Sequence, residues 1–135
     1  MERILQKISR IREYENQIRS MEAECLEKFN SDPIYRGALL YYLYLLTDSC
    51  IALAELVIKS RKLRIPQSYY EAFDILGENK ILDPSFAFSF AKIAGFRNFL
   101  AHDYEKIDPR IICDQIIPKL ADVSRFIEQI DNSFK

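Results

Sequence analysis

Apolar residues recur along this chain at the three- and four-residue intervals of a helix, and no stretch alternates with the period of a strand between turn signals. In the first segment Ile4, Ile8, Ile11, Ile18, Met21, Cys25 and Phe29 fall on one face, with Arg, Glu and Lys between them. From Pro33 to about Leu63 the chain is apolar nearly all round, through Ala38-Leu39-Leu40, Ile51-Ala52-Leu53 and Leu56-Val57-Ile58. A third segment carries Phe86, Phe90, Ile93, Phe96 and Leu100 as one stripe, and a last one carries Ile112, Ile116, Leu120, Val123, Ile127 and Ile130. Three Asp-Pro pairs, at 32–33, 83–84 and 108–109, mark helix starts. The Asp carboxylate accepts from unpaired helix N–H groups, and Pro fits the next position, where its missing N–H costs nothing. Ser68-Tyr69-Tyr70-Glu71 has capping-box spacing and predicts a short helix near 69–77. The pattern predicts an all-α protein: an antiparallel four-helix bundle with one additional short helix, the last long helix bent at Pro118.

At 135 residues, 49% hydrophobic and 29% charged, the chain reads as a single domain over 1–135, with enough apolar surface to exclude a disordered tail. The long apolar segment raises the question of a membrane span, but Asp48 and Glu55 within it argue for burial between helices. A helix apolar on every side needs neighbours on every side, more than a four-helix monomer supplies, so a homodimer using this helix is expected and a membrane is not. Nineteen basic and 20 acidic side chains leave a net charge of −1, so any phosphate-binding surface must be a local patch. Cys25, Cys50 and Cys113 are odd in number and far apart in sequence, which predicts neither a disulfide framework nor a zinc ribbon. The charged start, Met1-Glu2-Arg3-Ile4-Leu5-Gln6-Lys7, lacks the apolar core of a signal peptide and is read as cytoplasmic.

The catalytic inventory is nearly empty: there is no G-x-G-x-x-G, P-loop, G-x-S-x-G or H-E-x-x-H, and no cofactor or metal is expected. The sole histidine, His102, lies in Gly95-Phe96-Arg97-Asn98-Phe99-Leu100-Ala101-His102-Asp103-Tyr104. At helical pitch Arg97 and Tyr104 share one stripe, and Asn98 and His102 the adjacent one. These residue types suit RNA backbone cleavage. Arg holds a phosphate bidentately and stabilises its extra charge in the transition state. His takes the proton from a ribose 2′-OH or delivers one to the leaving 5′-oxygen, and a 2′-OH nucleophile needs no metal. General base and general acid are usually two groups, so one His per chain points to two copies of His102 in a dimer cleft. Taken alone, the Arg97–His102 spacing suits a surface pair, or a pair supporting a site, better than a site itself, and Tyr104 suits a half-buried core-edge phenol.

The segment Arg97-Asn98-Phe99-Leu100-Ala101-His102-Asp103-Tyr104 resembles the R-x4-H-x-Y signature of HepT-like toxins, a branch of the HEPN superfamily of helical nucleases. The order of elements, the Ile65-Pro66-Gln67-Ser68-Tyr69-Tyr70-Glu71-Ala72-Phe73 start of the short helix, Gly95-Phe96 before the Arg, and Asp108 soon after Tyr104 extend the resemblance over about 33–130. It implies a metal-independent endoribonuclease acting on RNA as a homodimer, with Arg97 and His102 of both subunits in one cleft. It also implies a partner, a minimal nucleotidyltransferase of the MntA type, that silences the toxin by transferring AMP to the motif tyrosine, here Tyr104. A charged phosphodiester and a base two residues from His102 would block substrate by repulsion and by volume. The rival reading is a non-catalytic HEPN module that binds a nucleotide or the nucleotidyltransferase.

Two further features stay open. Asp48 lies midway along the most apolar helix and needs a partner, either Arg97 or His102 or a polar notch at a dimer seam. The run Lys59-Ser60-Arg61-Lys62-Leu63-Arg64 is either helix-end charge on solvated surface or a patch tracking the RNA backbone through Lys59, Arg61, Lys62 and Arg64.

Overall fold

The computed structural model describes the backbone of residues 1–135 and every side chain except that of Tyr104, so readings placed on that phenol lie outside the described residues. Helix α1 runs Glu2–Met21, a 3₁₀ turn Glu22–Glu24 leads to the short α2 (Cys25–Lys28), and α3 spans Pro33–Ser60. There follow α4 (Tyr69–Glu78), α5 (Pro84–Phe90), α6 (Ile93–His102), a 3₁₀ turn Tyr104–Lys106, a π-helical stretch Ile111–Ile116, a 3₁₀ turn Ile117–Lys119 and α7 (Leu120–Asn132). No strand occurs among the described residues. The protein is all-α, as its periodicity predicts.

The starts are built as the punctuation implies. Asp32 Oδ1 accepts from the N–H groups of Ile34 and Tyr35, both at 3.1 Å, ahead of Pro33. Asp83 Oδ2 accepts from Phe86 N–H at 3.0 Å, and Asp108 Oδ1 from Arg110 N–H at 2.9 Å. Ser68 Oγ accepts from Glu71 N–H, while the Glu71 carboxylate reaches back to Gln67 N–H, one residue earlier than the usual box.

Helix α3 is the spine. Leu39, Leu43, Leu46, Cys50, Leu53 and Val57 are buried, and α1, α4 and α6 pack against it. By length and composition α3 could cross a bilayer; 56% of its most apolar stretch is buried inside the bundle. Its outward stripe runs through Ile34, Tyr41, Leu45, Asp48, Ala52, Glu55 and Lys59, with Ile34 85% and Tyr41 60% exposed. On the other side of the core, Phe73 of α4, Phe86 and Phe90 of α5 and Phe126 of α7 stack and meet edge-on, with centroids 4.8–5.8 Å apart. Gly77 permits this packing, since a Cβ there would lie 2.9 Å from that of Ala87.

Three expectations are corrected. The third long helix is not continuous: it breaks at Ala91–Lys92 without Gly or Pro, through i→i+3 bonds from Lys92 N–H to Ser89 and from Ala94 N–H to Ala91. Tertiary packing drives the break, because α5 lies on α4 whereas α6 must lean onto α3. The last segment is bent at Pro118 but also widened before it. The π-helical stretch makes room where the Pro ring would otherwise meet a carbonyl of the preceding turn. Third, Cys25 and Cys113, which sequence distance keeps apart, are joined in a disulfide with Cα atoms 5.7 Å apart, leaving Cys50 as the free, buried cysteine. Residues 88 apart in sequence meet because the chain returns antiparallel past the end of α1.

Thiol titration of the denatured, unreduced protein is expected to count one cysteine, and three after reduction. Chain-entropy arguments for a loop of this length place the stabilisation at no more than about 4–5 kcal/mol. A Cys113→Ser variant whose denaturation midpoint ignores reductant, beside a parent whose midpoint falls, is the expected result.

Candidate active site around Arg97

The carboxyl half of α6 lies against α3 and the start of α4. Gly95 sets the approach: a Cβ at this position would collide with the Tyr70 hydroxyl, so the missing side chain admits the Tyr69-Tyr70 pair beside α6. Two residues on, about half a turn away, Arg97 points back at α3. Its Nε donates to Asp48 Oδ1 at 3.1 Å, its Nη2 to the Tyr44 hydroxyl at 3.1 Å and its Nη1 to Asn98 Oδ1 at 3.2 Å. The guanidinium also lies 5.2 Å from the Tyr44 ring centroid and 5.3 Å from that of Tyr69, within cation–π range. Tyr44 and Asp48 are one turn apart on α3, so one helical flank presents both the phenol and the carboxylate.

This cage fixes Arg97 without exhausting it. A guanidinium carries five N–H donors and the contacts above use three, which leaves two for an incoming anion. The Arg97 side chain is 18% exposed and that of Asp48 45%, so the cation is the shielded member. Burial opposes the guanidinium charge, but the bond to Asp48, with Tyr44 and Tyr69 nearby, outweighs it and raises its pKa above the ordinary value.

His102 is exposed at the last residue of α6, five residues from Arg97, and among the described residues no hydrogen bond fixes its ring. The helix ends here. Asp103 leaves helical geometry at φ −127° and ψ 23°, and its N–H closes on the Phe99 carbonyl. The expected Arg97–Tyr104 stripe at helical pitch is therefore cut short, because Tyr104 begins the following 3₁₀ turn. Among the described residues no three His, Cys, Asp or Glu side chains converge as a metal site would need.

The two arginines of the basic run are engaged. Arg64 pairs with Glu71 and Glu78, each at 2.8 Å, and Arg61 lies over the Phe134 ring and donates to the Ser133 carbonyl. Lys59 and Lys62 remain exposed, Lys62 in the left-handed region at φ 56°. A separate concavity of about 260 Å³ between α3, α5, α6 and the last segment is mostly apolar, lined by Leu43, Leu46, Phe90, Ile93 and Phe96 with Lys92 and Lys119.

Of Arg97, Asn98, His102 and Asp48, the residues the sequence points to, the fold brings Arg97, Asn98 and Asp48 into one bonded group. Tyr44 and Tyr69 join Arg97 from outside that set. Tyr44 carried a legible signal in its four-residue spacing from Asp48; Tyr69 read only as part of a helix start.

Glu55, two turns beyond Asp48 on the outward stripe, has its pKa raised, first by partial burial and then by the charge of Asp48. A carboxyl whose folded pKa exceeds its unfolded one keeps its proton longer in the folded state, so stability falls as pH rises through that window. Denaturation midpoints measured from pH 4 upward are expected to show this loss above about 4.5, and Glu55→Gln to remove it.

The family model for ribonuclease HepT-like proteins matches residues 4–130. The chain is 25% identical to the mRNA nuclease HepT of Shewanella oneidensis over 127 residues, covering 94% of this chain and 95% of that one. It is 34% identical to the tRNA nuclease HepT of Aphanizomenon flos-aquae over 92 residues, 67% of this chain and 61% of that one. Among solved structures it superposes, with a TM-score of 0.85 and 25% identity over 96% of each chain, on the tri-AMPylated HEPN toxin of Shewanella oneidensis in complex with its MNT antitoxin. A model match spanning nearly the whole chain, together with the all-helical architecture those toxins share, establishes that this chain belongs to the ribonuclease HepT-like family.

Proposed function

We propose that this protein is the cytoplasmic ribonuclease toxin of a toxin–antitoxin pair, a single-domain, metal-independent endoribonuclease that works as a homodimer. The observation that carries the reading is the caged Arg97, with two N–H donors spare, on the same helix as an exposed His102. The relatives named as mRNA and tRNA nucleases support the substrate class.

In this reading Arg97 holds a non-bridging oxygen of the scissile phosphate and stabilises charge as the phosphorus becomes pentacovalent. His102 of one subunit takes the proton from the ribose 2′-OH. The oxygen attacks phosphorus, and the bond to the 5′-oxygen breaks as His102 of the second subunit returns a proton to it. The products are a 2′,3′-cyclic phosphate and a free 5′-OH. Asp48, Tyr44 and Asn98 position Arg97. The exposed Ile34 and Tyr41 of the α3 stripe, on the amino-terminal side of Asp48, support pairing of two copies on this face.

The antitoxin in this reading is a nucleotidyltransferase of the MntA type that transfers AMP to Tyr104. The support is the superposition on a tri-AMPylated toxin in complex with an MNT antitoxin. A bulky phosphodiester at Tyr104 would stand two residues from His102, where it excludes substrate phosphate.

Cleavage of end-labelled RNA by the unmodified protein in EDTA tests the core of the proposal. The parent should leave 2′,3′-cyclic phosphate ends, while Arg97→Ala and His102→Ala should each lose on the order of 10²–10⁴ in rate. No cleavage by a parent whose intact mass shows Tyr104 unmodified would leave the non-catalytic partner module in its place. Asp48→Asn keeps a neutral acceptor but removes the charge, and is expected to lower kcat about tenfold with little change in KM, the mark of lost transition-state positioning. Full activity in this variant would remove Asp48 from the mechanism.

A further inference from the structure

Near the amino end of α1 a second concavity of about 280 Å³ is lined by Arg3, Gln6, Lys7 and Arg10, with Leu56 of α3 beneath them. Positions 3, 7 and 10 fall on one flank of a helix, with side-chain origins about 6 and 4.5 Å apart along the axis. That spacing is comparable with the separation of successive phosphates in a single nucleic-acid strand. The charges are available: among the described residues Arg3 and Lys7 form no ion pair, and Arg10 meets Glu13 only at 4.0 Å, with both side chains more than half exposed. An ion pair of that kind holds its partners weakly in water. Gln6 adds a neutral donor and acceptor, and Leu56 offers an apolar contact for a ribose or a base.

The position follows from α3. Leu56 is eight residues beyond Asp48 on that helix, about 12 Å along its axis and on the flank that faces α1 rather than α6. Lys59, one turn past Leu56, belongs to the α3 stripe proposed to pair two copies and is left out of the track. The basic surface is thus centred on α1, since Arg61 and Arg64 are engaged by Ser133, Phe134, Glu71 and Glu78. With a net charge of −1 the chain has no global attraction for a polyanion, and a local cluster must supply it.

We propose that Arg3, Lys7 and Arg10 form an anchoring track for the sugar–phosphate backbone of single-stranded RNA, outside the cleavage site. The inference rests on the ribonuclease reading and adds to it where the strand leaves the site. Its test is binding of fluorescein-labelled single-stranded RNA across a salt series, in a His102→Ala background that separates binding from cleavage. Each cation on a phosphate contributes about 0.7 to the slope of log affinity against log salt, so R3Q/K7Q/R10Q should flatten that slope by about 2. It should also weaken binding roughly tenfold or more at moderate salt. The charge-conserving R3K/K7R/R10K should restore both. In the cleavage-competent protein the neutral variant should raise KM for long RNA and leave a dinucleotide substrate unaffected. All three positions are at least partly exposed, and circular dichroism checks that the variant folds. An unchanged slope in a parent that binds RNA overturns the track alone, including the case where the variant instead loses an acidic protein partner. A parent that binds no RNA overturns the ribonuclease reading together with it.

Discussion

Helix α3 is apolar nearly all round, and the remaining elements are arranged by the need to cover it. A 28-residue helix buried over about half its circumference needs partners along its whole length. Helix α1 covers one flank and α6 the other, while α4 bridges behind. The π-widened last segment and α7 close the far side, where Ser124 donates to the buried Glu15 carboxylate, itself paired with Arg19, and so ties α7 to α1. What stays uncovered is the stripe between α1 and α6. Asp48 sits in its middle, and the arginine of α6 reaches it from the side. The candidate site is thus where the spine helix is left open.

Much of this was legible along the chain because local chemistry and tertiary need agree. The Asp-Pro pairs and Ser68 satisfy free N–H groups in the structure as they would in an isolated segment, so helix starts are readable. The break at Ala91–Lys92 was not, since its cause lies in two different partners: Phe73 and Phe126 hold α5, whereas Tyr44 and Asp48 hold α6. An unbroken Phe86–Leu100 stripe is what the same residues would prefer if one neighbour served both halves. The Cys25–Cys113 bond was hidden for a similar reason. Spacing in sequence carries no information about a contact made by an antiparallel return.

At the site, the residues with a short sequence pattern were readable and those supplied across the fold were not. Arg97, Asn98 and His102 lie within six residues on one helix, and helical pitch relates them directly. Tyr69 comes from another helix and reaches Arg97 only because Gly95 lets the start of α4 come close. Helical pitch does not extend to Tyr104, because α6 ends at His102 and the chain turns.

The Asp48–Arg97 pair sits at an intermediate exposure, and that matters for what the arginine can do. Fully buried, the two charges would each carry a desolvation penalty of several kcal/mol, and the carboxylate would cancel much of the field a phosphate should meet. Fully exposed, the pair would contribute about 0–1 kcal/mol and leave the guanidinium mobile. Here the cation is shielded by two tyrosines while the carboxylate stays almost half in water, where solvent screens its charge. Orientation is fixed mostly by neutral groups and aromatic faces, which do not compete for the anion. In the proposed reaction an arginine held in this way would spend little freedom on meeting a phosphate, which leaves more of the contact for the transition state. The imidazole has the opposite design. His102 stands at a helix end with nothing among the described residues to hold it, and in a homodimer the facing subunit is what would complete its surroundings.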